Sequence, residues 1–159
     1  MPCTRVRRRL AGHAGFSALE IVVALAVVAL LIGLALPTYL NHASNQRVLA
    51  EAQTLIADLR LTQQQALTRR IAIAVNAERA DLACPNSAAS YTLVASEEVV
   101  RRVCLSDGVA WAERPTATFM FESMGVPSSG ATFALRSVRT GRTHTVTVTP
   151  GGEISADSP

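Results

Sequence analysis

Glu20 is the only charged residue between Phe16 and Leu40, and it stands directly before an apolar run from Ile21 to Leu36. About 20 apolar residues cross a bilayer as a helix, so this segment is long enough to span a membrane. A carboxylate inside such a segment is energetically costly and is found there when it has a partner or a function. Glu20 is therefore the first candidate functional residue, and it needs a partner.

The residues around Glu20 resemble the leader motif of type IV pilin-like proteins, which here reads Gly15-Phe16-Ser17-Ala18-Leu19-Glu20. Four arginines match the short basic leader of that family: Arg5, Arg7, Arg8 and Arg9. Pro37 and Tyr39 stand where the family has a helix-bending proline and a nearby aromatic residue. The resemblance implies that a dedicated peptidase cleaves after Gly15 and that Phe16 is then N-methylated. It also implies that Glu20 neutralises the α-amino group of Phe16 on a neighbouring subunit.

Three other interpretations of this segment compete. A cleaved secretory signal also has a basic start and an apolar core, but that core is usually about 7–15 residues long and a glutamate near its start is unexpected. A plain membrane anchor explains the length of the run but not Glu20. A buried helix of a soluble protein is the weakest interpretation, since 16 consecutive apolar residues leave no polar face.

The positive charge of the chain is concentrated in the leader. Four of the 15 basic residues lie there and none of the 12 acidic ones, so cleavage leaves 11 basic against 12 acidic residues, a net charge of −1. The formal charge of +3 is therefore weak evidence for a nucleic-acid partner. It is better evidence for orientation, because basic residues stay on the cytoplasmic side of a membrane and the C-terminal bulk would lie outside.

The cysteines fit an exported domain. Cys3 would leave with the leader, so that Cys84 and Cys104 remain as an even pair. In an oxidising compartment such a pair usually forms a disulfide, and closing a loop of that size contributes roughly 3 kcal/mol in the chain-entropy description. The alternative is two buried free thiols.

Beyond Pro37 the pattern becomes amphipathic, which predicts that the proline kinks the helix rather than ends it. Apolar residues recur at helical spacing: Leu49, Ala52, Ile56, Leu59 and Ala66. Polar residues are assigned to the other faces: Arg47, Glu51, Gln53, Asp58, Arg60 and Gln64. We expect one helix from Phe16 to about Arg70, with a transmembrane part at 16–37 and an amphipathic part at 38–70, after a leader at 1–15.

Residues 71–159 predict a periplasmic β-rich domain, because β-branched and aromatic runs alternate with turn residues. The predicted strands are 71–75, 91–94, 99–105, 109–111, 118–121, 132–135 and 143–149. Residues 77–90 are expected to form a loop and Asp157-Ser158-Pro159 a frayed end. The alternation from Thr143 to Val148 predicts a strand with one buried face.

A narrower resemblance concerns the GspH/FimT branch of minor pseudopilins. The run from Leu59 to Val75, a helix leading into a strand, resembles the helix-to-strand junction of that branch. Phe119-Met120-Phe121 followed by Gly125, then a paired strand and a closing Gly-Gly, is similar to its C-terminal half. The implied fold class is α+β and pilin-like: a long N-terminal helix packed on a C-terminal antiparallel β-rich domain.

The sequence carries no recognisable catalytic or metal-binding pattern. His42 and His144 are far apart and lack partners at a recognisable spacing. The spacing of Cys84 and Cys104 is not a CxxC pattern. Glu97-Glu98 is better explained as a solvated strand start than as an acid/base pair. We therefore expect a non-enzymatic protein with no catalytic residue, no metal and no cofactor.

One basic cluster allows a DNA-binding interpretation: Arg136, Arg139, Arg142 and His144 fall within nine residues around the Thr140-Gly141 turn. Such donors on an exposed loop could contact a phosphate backbone. Some FimT-type minor pilins hold DNA with a C-terminal Gly-Arg-x-Arg motif, which this stretch resembles. Here it reads Gly141-Arg142-Thr143-His144, and the histidine is mostly neutral at pH 7, which favours a solvated turn.

The resemblance implies a minor pseudopilin of a type II secretion system, anchored once in the bacterial inner membrane and assembled into a periplasmic filament. Its partners would be other pseudopilins or pilins, contacted through the N-terminal helix with Glu20 and Pro37, and the prepilin peptidase/methyltransferase. Two alternatives stay open. One is a FimT-like minor pilin of a type IV pilus that binds DNA during uptake. The other is an anchored or secreted periplasmic domain outside any filament.

Overall fold

The computed structural model describes residues 17–85, 88–113 and 119–157. Within them one helix precedes eight strands. The helix, α1, is Ala18–Arg69. The strands are β1 Ile73–Glu78, β2 Ser90–Ala95, β3 Glu98–Cys104, β4 Val109–Trp111, β5 Phe119–Phe121, β6 Ala131–Ser137, β7 Thr143–Val148 and β8 Ile154–Asp157. The predicted α+β class is confirmed.

Helix α1 continues through Pro37, in agreement with the helical pattern that resumes beyond it. At its start the carbonyl of Ser17 accepts hydrogen bonds from the amides of Glu20 and Ile21. It ends at Arg69, and Arg70 has a φ of 55°, the left-handed conformation that commonly terminates a helix.

The chain divides after Thr38 into two units. In the first unit, every residue from Ser17 to Thr38 is exposed, although nearly all of them are apolar. This stretch makes α1 long and apolar enough to cross a membrane. An apolar surface of this extent needs a lipid or protein environment.

The second unit, Tyr39–Pro159, contains two four-stranded antiparallel sheets within the described residues. The strand order is β3-β2-β1-β5 in the first sheet and β4-β6-β7-β8 in the second. Aromatic side chains from both sheets meet in the core: the rings of Phe119 and Phe133 lie 5.9 Å apart, and Trp111 lies 6.5 Å from Tyr91 and 6.2 Å from Phe133. The Trp111 indole also donates to the carbonyls of Glu78 and Ser90, which ties β4 to β1 and β2.

The amphipathic half of α1 covers this core with a face that is rotated slightly from the predicted stripe. Ala52, Leu59 and Ala66 are buried as expected, while Leu49 and Ile56 are only half-buried. The buried set is completed by Val48, Leu55, Asp58 and Thr62. The assignment of Asp58 to an outer face is therefore wrong.

All seven predicted strand regions contain a strand, although several bounds shift by one to three residues, and two of the differences change an assignment. Strand β1 extends to Glu78, so the loop that was expected from Ala77 begins two residues later. Strand β8 was not predicted. It pairs with β7 from Val148↔Ile154 to Thr145↔Asp157, so Asp157 belongs to a sheet edge rather than to a frayed end. Ser158, Pro159 and Thr118 lie outside the described residues.

Candidate functional site

The candidate assembly segment begins at Glu20, in the first turn of α1. Its carboxylate lies on the side of the helix formed with Ile21, Ala24, Leu25 and Val28, which line a shallow concavity with it. A negative charge in the first turn is favoured by the partial positive charge of the helix N-terminus. No residue in the described part of the chain forms a salt bridge with Glu20. Its predicted partner, the amine of Phe16 on another subunit, and the cleavage site after Gly15 lie outside the described residues and stay predictions.

The second unit carries a disulfide between Cys84 and Cys104, as the even pair of cysteines predicts. The two Cα atoms lie 5.7 Å apart, and the bond joins the β1–β2 loop to the end of β3. This loop connects the two strands across Arg79–Ala89, so the disulfide attaches it to the sheet at an edge strand. The pair was predicted from the oxidising compartment and the even number of cysteines left after cleavage, not from the distance between the two residues.

Asp81 fixes the same loop from its other side. Its carboxylate accepts hydrogen bonds from the Ala83 amide and the Ser90 hydroxyl, both at 2.9 Å, and lies 3.1 Å from the Arg102 guanidinium. The hydrogen bonds from Ala83 and Ser90, with the charge of Arg102, lower the pKa of Asp81 below its ordinary value. These contacts attach the β1–β2 loop to β2 and β3, which is a structural role for this buried carboxylate.

A second carboxylate lies inside the domain. The Tyr91 hydroxyl donates to Asp58 at 2.6 Å, and the Arg101 guanidinium lies 3.2 Å from the other oxygen of the same carboxylate. Tyr91 is fully buried, and burial together with the bond to Asp58 raises its pKa well above the ordinary value. Sequence analysis missed this contact. Helical spacing from Leu55 and Thr62 indicates that Asp58 lies on the buried face, but it does not identify Tyr91 as the partner.

Gln63 connects α1 to two distant turns. Its side-chain amide donates to the carbonyl of Gly125 at 3.1 Å and to that of Gly152 at 3.2 Å. Gly125 lies in the segment after β5, and Gly152 lies in the β7–β8 turn. A single half-buried amide therefore positions α1 relative to both sheets.

The basic cluster lies where β6 turns into β7, and we call residues 136–142 the arginine turn. Three side-chain hydrogen bonds hold it against α1: Arg139 Nε to Asn41 at 3.1 Å, Thr140 to Asn45 at 2.6 Å, and Ser137 with Ser44 at 2.8 Å. All three helix partners lie in the first turns after Leu40. The turn is thus fixed at the start of the amphipathic half of α1.

The exposed donors of this cluster are fewer than predicted. Arg136, Arg139 and Arg142 are exposed, but His144 is only 8% exposed. Strand β7 alternates as expected, and its buried face is formed by His144, Val146 and Val148. The inclusion of His144 among phosphate-contacting residues is therefore wrong, because its side chain belongs to the core face of the strand.

The other candidate groups remain apart in the part of the chain that the structure describes. His42 is exposed on α1, far in sequence from the buried His144. Glu97 and Glu98 are exposed where β3 begins. Among residues 17–85, 88–113 and 119–157, no three His, Cys, Asp or Glu side chains are grouped as metal ligands.

A helix that is first apolar and then amphipathic, followed by two antiparallel sheets, defines a pilin-like subunit. Residues 51–152 match the model of the family described as type II transport protein GspH. The chain belongs to the GspH family, whose members are structural pilin or pseudopilin subunits rather than enzymes. A comparison with curated proteins gave no match.

Two solved structures share the fold. FimU, a type IV minor pilin of Pseudomonas aeruginosa strain PAO1, superposes with a TM-score of 0.54 and 15% sequence identity, over 71% of this chain and 90% of FimU. EpsH, the minor pseudopilin from the Type 2 Secretion System of Vibrio cholerae, gives a TM-score of 0.52 at 14% identity, over 71% of this chain and 98% of EpsH. At these identities the likeness concerns the fold.

Proposed function

We propose that this chain is a minor pseudopilin, a structural subunit of the periplasmic pseudopilus of a type II secretion system. The observation that carries the proposal is the lone carboxylate of Glu20 in an exposed apolar helix segment, attached to a GspH-family domain. The description of the family as a type II transport protein favours secretion over a pilus. EpsH, which is described as a minor pseudopilin of such a system, has a similar fold.

In this function the predicted transmembrane part, residues 16–37, holds the subunit in the inner membrane and then packs against the helices of other subunits. When the helix moves from the membrane into the filament, protein replaces lipid around the same apolar surface. Apolar contacts alone do not define the axial register between neighbouring helices, so a polar contact is needed. Glu20 supplies that contact when it pairs with the freed amine of Phe16 on a neighbouring subunit. A charge pair inside hydrocarbon is favoured over either charge alone, and only a correctly staggered neighbour provides it.

The test of filament assembly uses the full chain in its native host. Mass spectrometry of the mature protein should show an N-methylated Phe16 at the N-terminus, and the chain should appear in the sheared or cross-linked filament fraction. Glu20→Gln should be processed and remain in the membrane but be lost from the filament fraction, because the neutral amide cannot neutralise an ammonium group. Glu20→Asp keeps the charge and serves as the matched control, with partial incorporation expected.

A mature N-terminus at any residue other than Phe16 would overturn the proposed assembly. So would incorporation of the Glu20→Gln chain at the level of the unaltered protein. Deletion of the gene then identifies the machine. Loss of exported folded proteins from the medium, with pili intact, supports the pseudopilus, whereas loss of pili or of DNA uptake with normal secretion would assign the chain to a type IV pilus.

A further inference from the structure

The arginine turn lies beside the first helix turns after the predicted transmembrane part, residues 16–37. Asn41, which accepts the hydrogen bond from Arg139, comes directly after Leu40 in the sequence. Ser44 and Asn45, which hold Ser137 and Thr140, lie about 10–12 Å beyond Pro37 along the helix at 1.5 Å per residue. If the predicted transmembrane part, residues 16–37, spans the bilayer, the turn is attached to α1 from four residues beyond the end of that span, close in the chain to the headgroup layer.

Two exposed side chains at this level have the properties of membrane-interface residues. Tyr39 is 68% exposed, and aromatic residues with a polar tip are enriched where a helix leaves the hydrocarbon. Val138 is 64% exposed within the turn, between Arg136 and Arg139. An apolar side chain flanked by arginines can enter the interface while the guanidinium groups stay among the phosphates.

We infer that the arginine turn binds the headgroups of anionic phospholipids at the periplasmic face of the inner membrane. Guanidinium groups bind phosphate with paired, charge-assisted hydrogen bonds, which suits Arg136 and Arg139 to this role. The inference rests on the proposed function, because it requires that α1 spans the membrane. It assigns to the domain a second membrane contact, which fixes how the domain sits on the bilayer before the subunit enters a filament.

A membrane explains the turn better than a nucleic acid does. The buried His144 removes one of the four predicted donors, and the turn is held against the start of the amphipathic helix instead of projecting from the domain. Asp107 also lies close by, since the next residue, Gly108, accepts a hydrogen bond from the Val138 amide. A short basic site with an acidic neighbour suits one or two headgroups better than a long polyanion.

The test uses the full chain reconstituted in vesicles of phosphatidylcholine, with or without phosphatidylglycerol, and hydrogen exchange of peptides that cover 136–142. Phosphatidylglycerol should slow exchange in this segment, and high salt should reverse the effect. A basic side chain near an anionic surface contributes about fivefold in binding. Arg136→Gln/Arg139→Gln should therefore weaken the binding of phosphatidylglycerol, measured by the slowing of exchange at 136–142, by about 25-fold. Arg136→Lys/Arg139→Lys keeps the charge and should retain most of it.

The matched control is Arg69→Gln/Arg70→Gln, which removes the same charge at the other end of the amphipathic helix. Arg69 lies 28 residues after Asn41, or about 42 Å along α1, and its loss should leave the lipid effect unchanged. Slow hydrogen exchange of the β2 amides shows in each variant that the domain is folded. A larger effect of the Arg69/Arg70 variant than of the Arg136/Arg139 variant would overturn the inference.

Two further outcomes would also overturn it. One is equal exchange at 136–142 in the two kinds of vesicle. The other is protection that appears only when duplex DNA is added, which would assign the turn to nucleic acid. Failure of the proposed membrane span gives a separate result, since the amides of Ile21 to Leu40 would then exchange freely in both kinds of vesicle.

Discussion

At the scale of residues, Asp58 shows how a carboxylate can be buried without catalytic use. One oxygen accepts the Tyr91 hydroxyl and the other faces the half-exposed Arg101. These two contacts join α1 to strands β2 and β3. Removal of one partner leaves the other buried and unsatisfied, which costs more than loss of the bond itself.

Tyr91→Phe should therefore lower the free energy of unfolding by about 2 kcal/mol, the usual range for a buried hydrogen bond to a charged group. Asp58→Ala should cost at least as much, because it leaves the Tyr91 hydroxyl without its acceptor. Urea unfolding of the detergent-solubilised chain measures both changes. The double variant should lose less free energy of unfolding than the sum of the losses in the two single variants. A loss equal to that sum would mean that the bond does not couple the two residues energetically.

Asp81 gives a prediction about pH. Its folded-state pKa is below the ordinary value of 3.8, mainly through the Ala83 amide and the Ser90 hydroxyl. A lowered pKa stabilises the fold above pH 3.8, and this contribution is lost as the pH falls through the lower folded-state value. Asp81→Asn should reduce the Tm at pH 7, and the difference from the unaltered chain should shrink below about pH 3.8. A difference that stays constant down to pH 2 would contradict this assignment.

At the scale of elements, the β7–β8 turn depends on the close approach of its glycine to α1. Gly152 has a φ of 84°, and a Cβ atom there would lie 2.7 Å from the Gln63 amide nitrogen. Gly141, at the β6–β7 turn, has a φ of 74° and nothing within 4 Å of its Cβ position. The two glycines thus share the backbone conformation and differ in their surroundings.

Gly141→Ala should cost about 1 kcal/mol, the usual penalty of the left-handed conformation for a residue with a Cβ. Gly152→Ala should cost about 1–2 kcal/mol more, because Gln63 must also give up its hydrogen bonds. Thermal unfolding of the two variants, compared with Gln63→Ala, measures this difference. Equal losses at Gly141 and Gly152 would mean that the Gln63 contacts contribute nothing to stability.

How far the elements could be predicted depended on the strength of each local signal. The apolar run, the helical spacing beyond Pro37 and the alternation of β7 are properties of the sequence itself. Strand β8 is only four residues long and buries only Ile154, so its apolar–polar alternation is too short to indicate a strand. The β2–β3 turn also lacks a sequence signal. Ser96 and Glu97 adopt positive φ values of 50° and 68°, which asparagine or glycine usually adopts in a hairpin turn.

The candidate site was predictable to a similar degree. Glu20 and the cysteine pair stand out because each is unusual in its local context. The Asp58–Tyr91 bond and the Gln63 contacts join residues that are 33 and 62 or more positions apart, and their partners are chosen by the tertiary structure. His144 is different, because the alternation of β7 already places it on the same face of the strand as Val146 and Val148.

At the scale of the whole molecule, the two units differ in the surface that they expose. The hydrophobic core lies entirely between Val48 and Ile154, within the second unit. The residues from Ser17 to His42 are exposed along α1 and contribute none of its buried side chains. The apolar segment thus contributes nothing to the hydrophobic core, and the stability of the domain should not depend on it.

A fragment that begins at Asn41 should therefore fold on its own. Expressed in an oxidising compartment, it should be soluble and monomeric and should unfold cooperatively in urea. Cys84→Ser/Cys104→Ser should lower its free energy of unfolding by about 3 kcal/mol, since the disulfide closes a loop with a sequence separation of 20. Size-exclusion chromatography and urea unfolding, followed by Trp111 fluorescence, measure these properties.

A shorter fragment that begins at Ala57 supplies the control for this division of roles. It lacks Val48, Ala52 and Leu55, three side chains that are at most 2% exposed. Loss of two large apolar side chains from a core costs about 2–5 kcal/mol each, which is comparable to the whole stability of a small domain. The Ala57 fragment should therefore fail to fold although the Asn41 fragment succeeds. If the Asn41 fragment aggregates while the full chain in detergent unfolds cooperatively, the apolar segment contributes to the fold itself and not only to its surroundings.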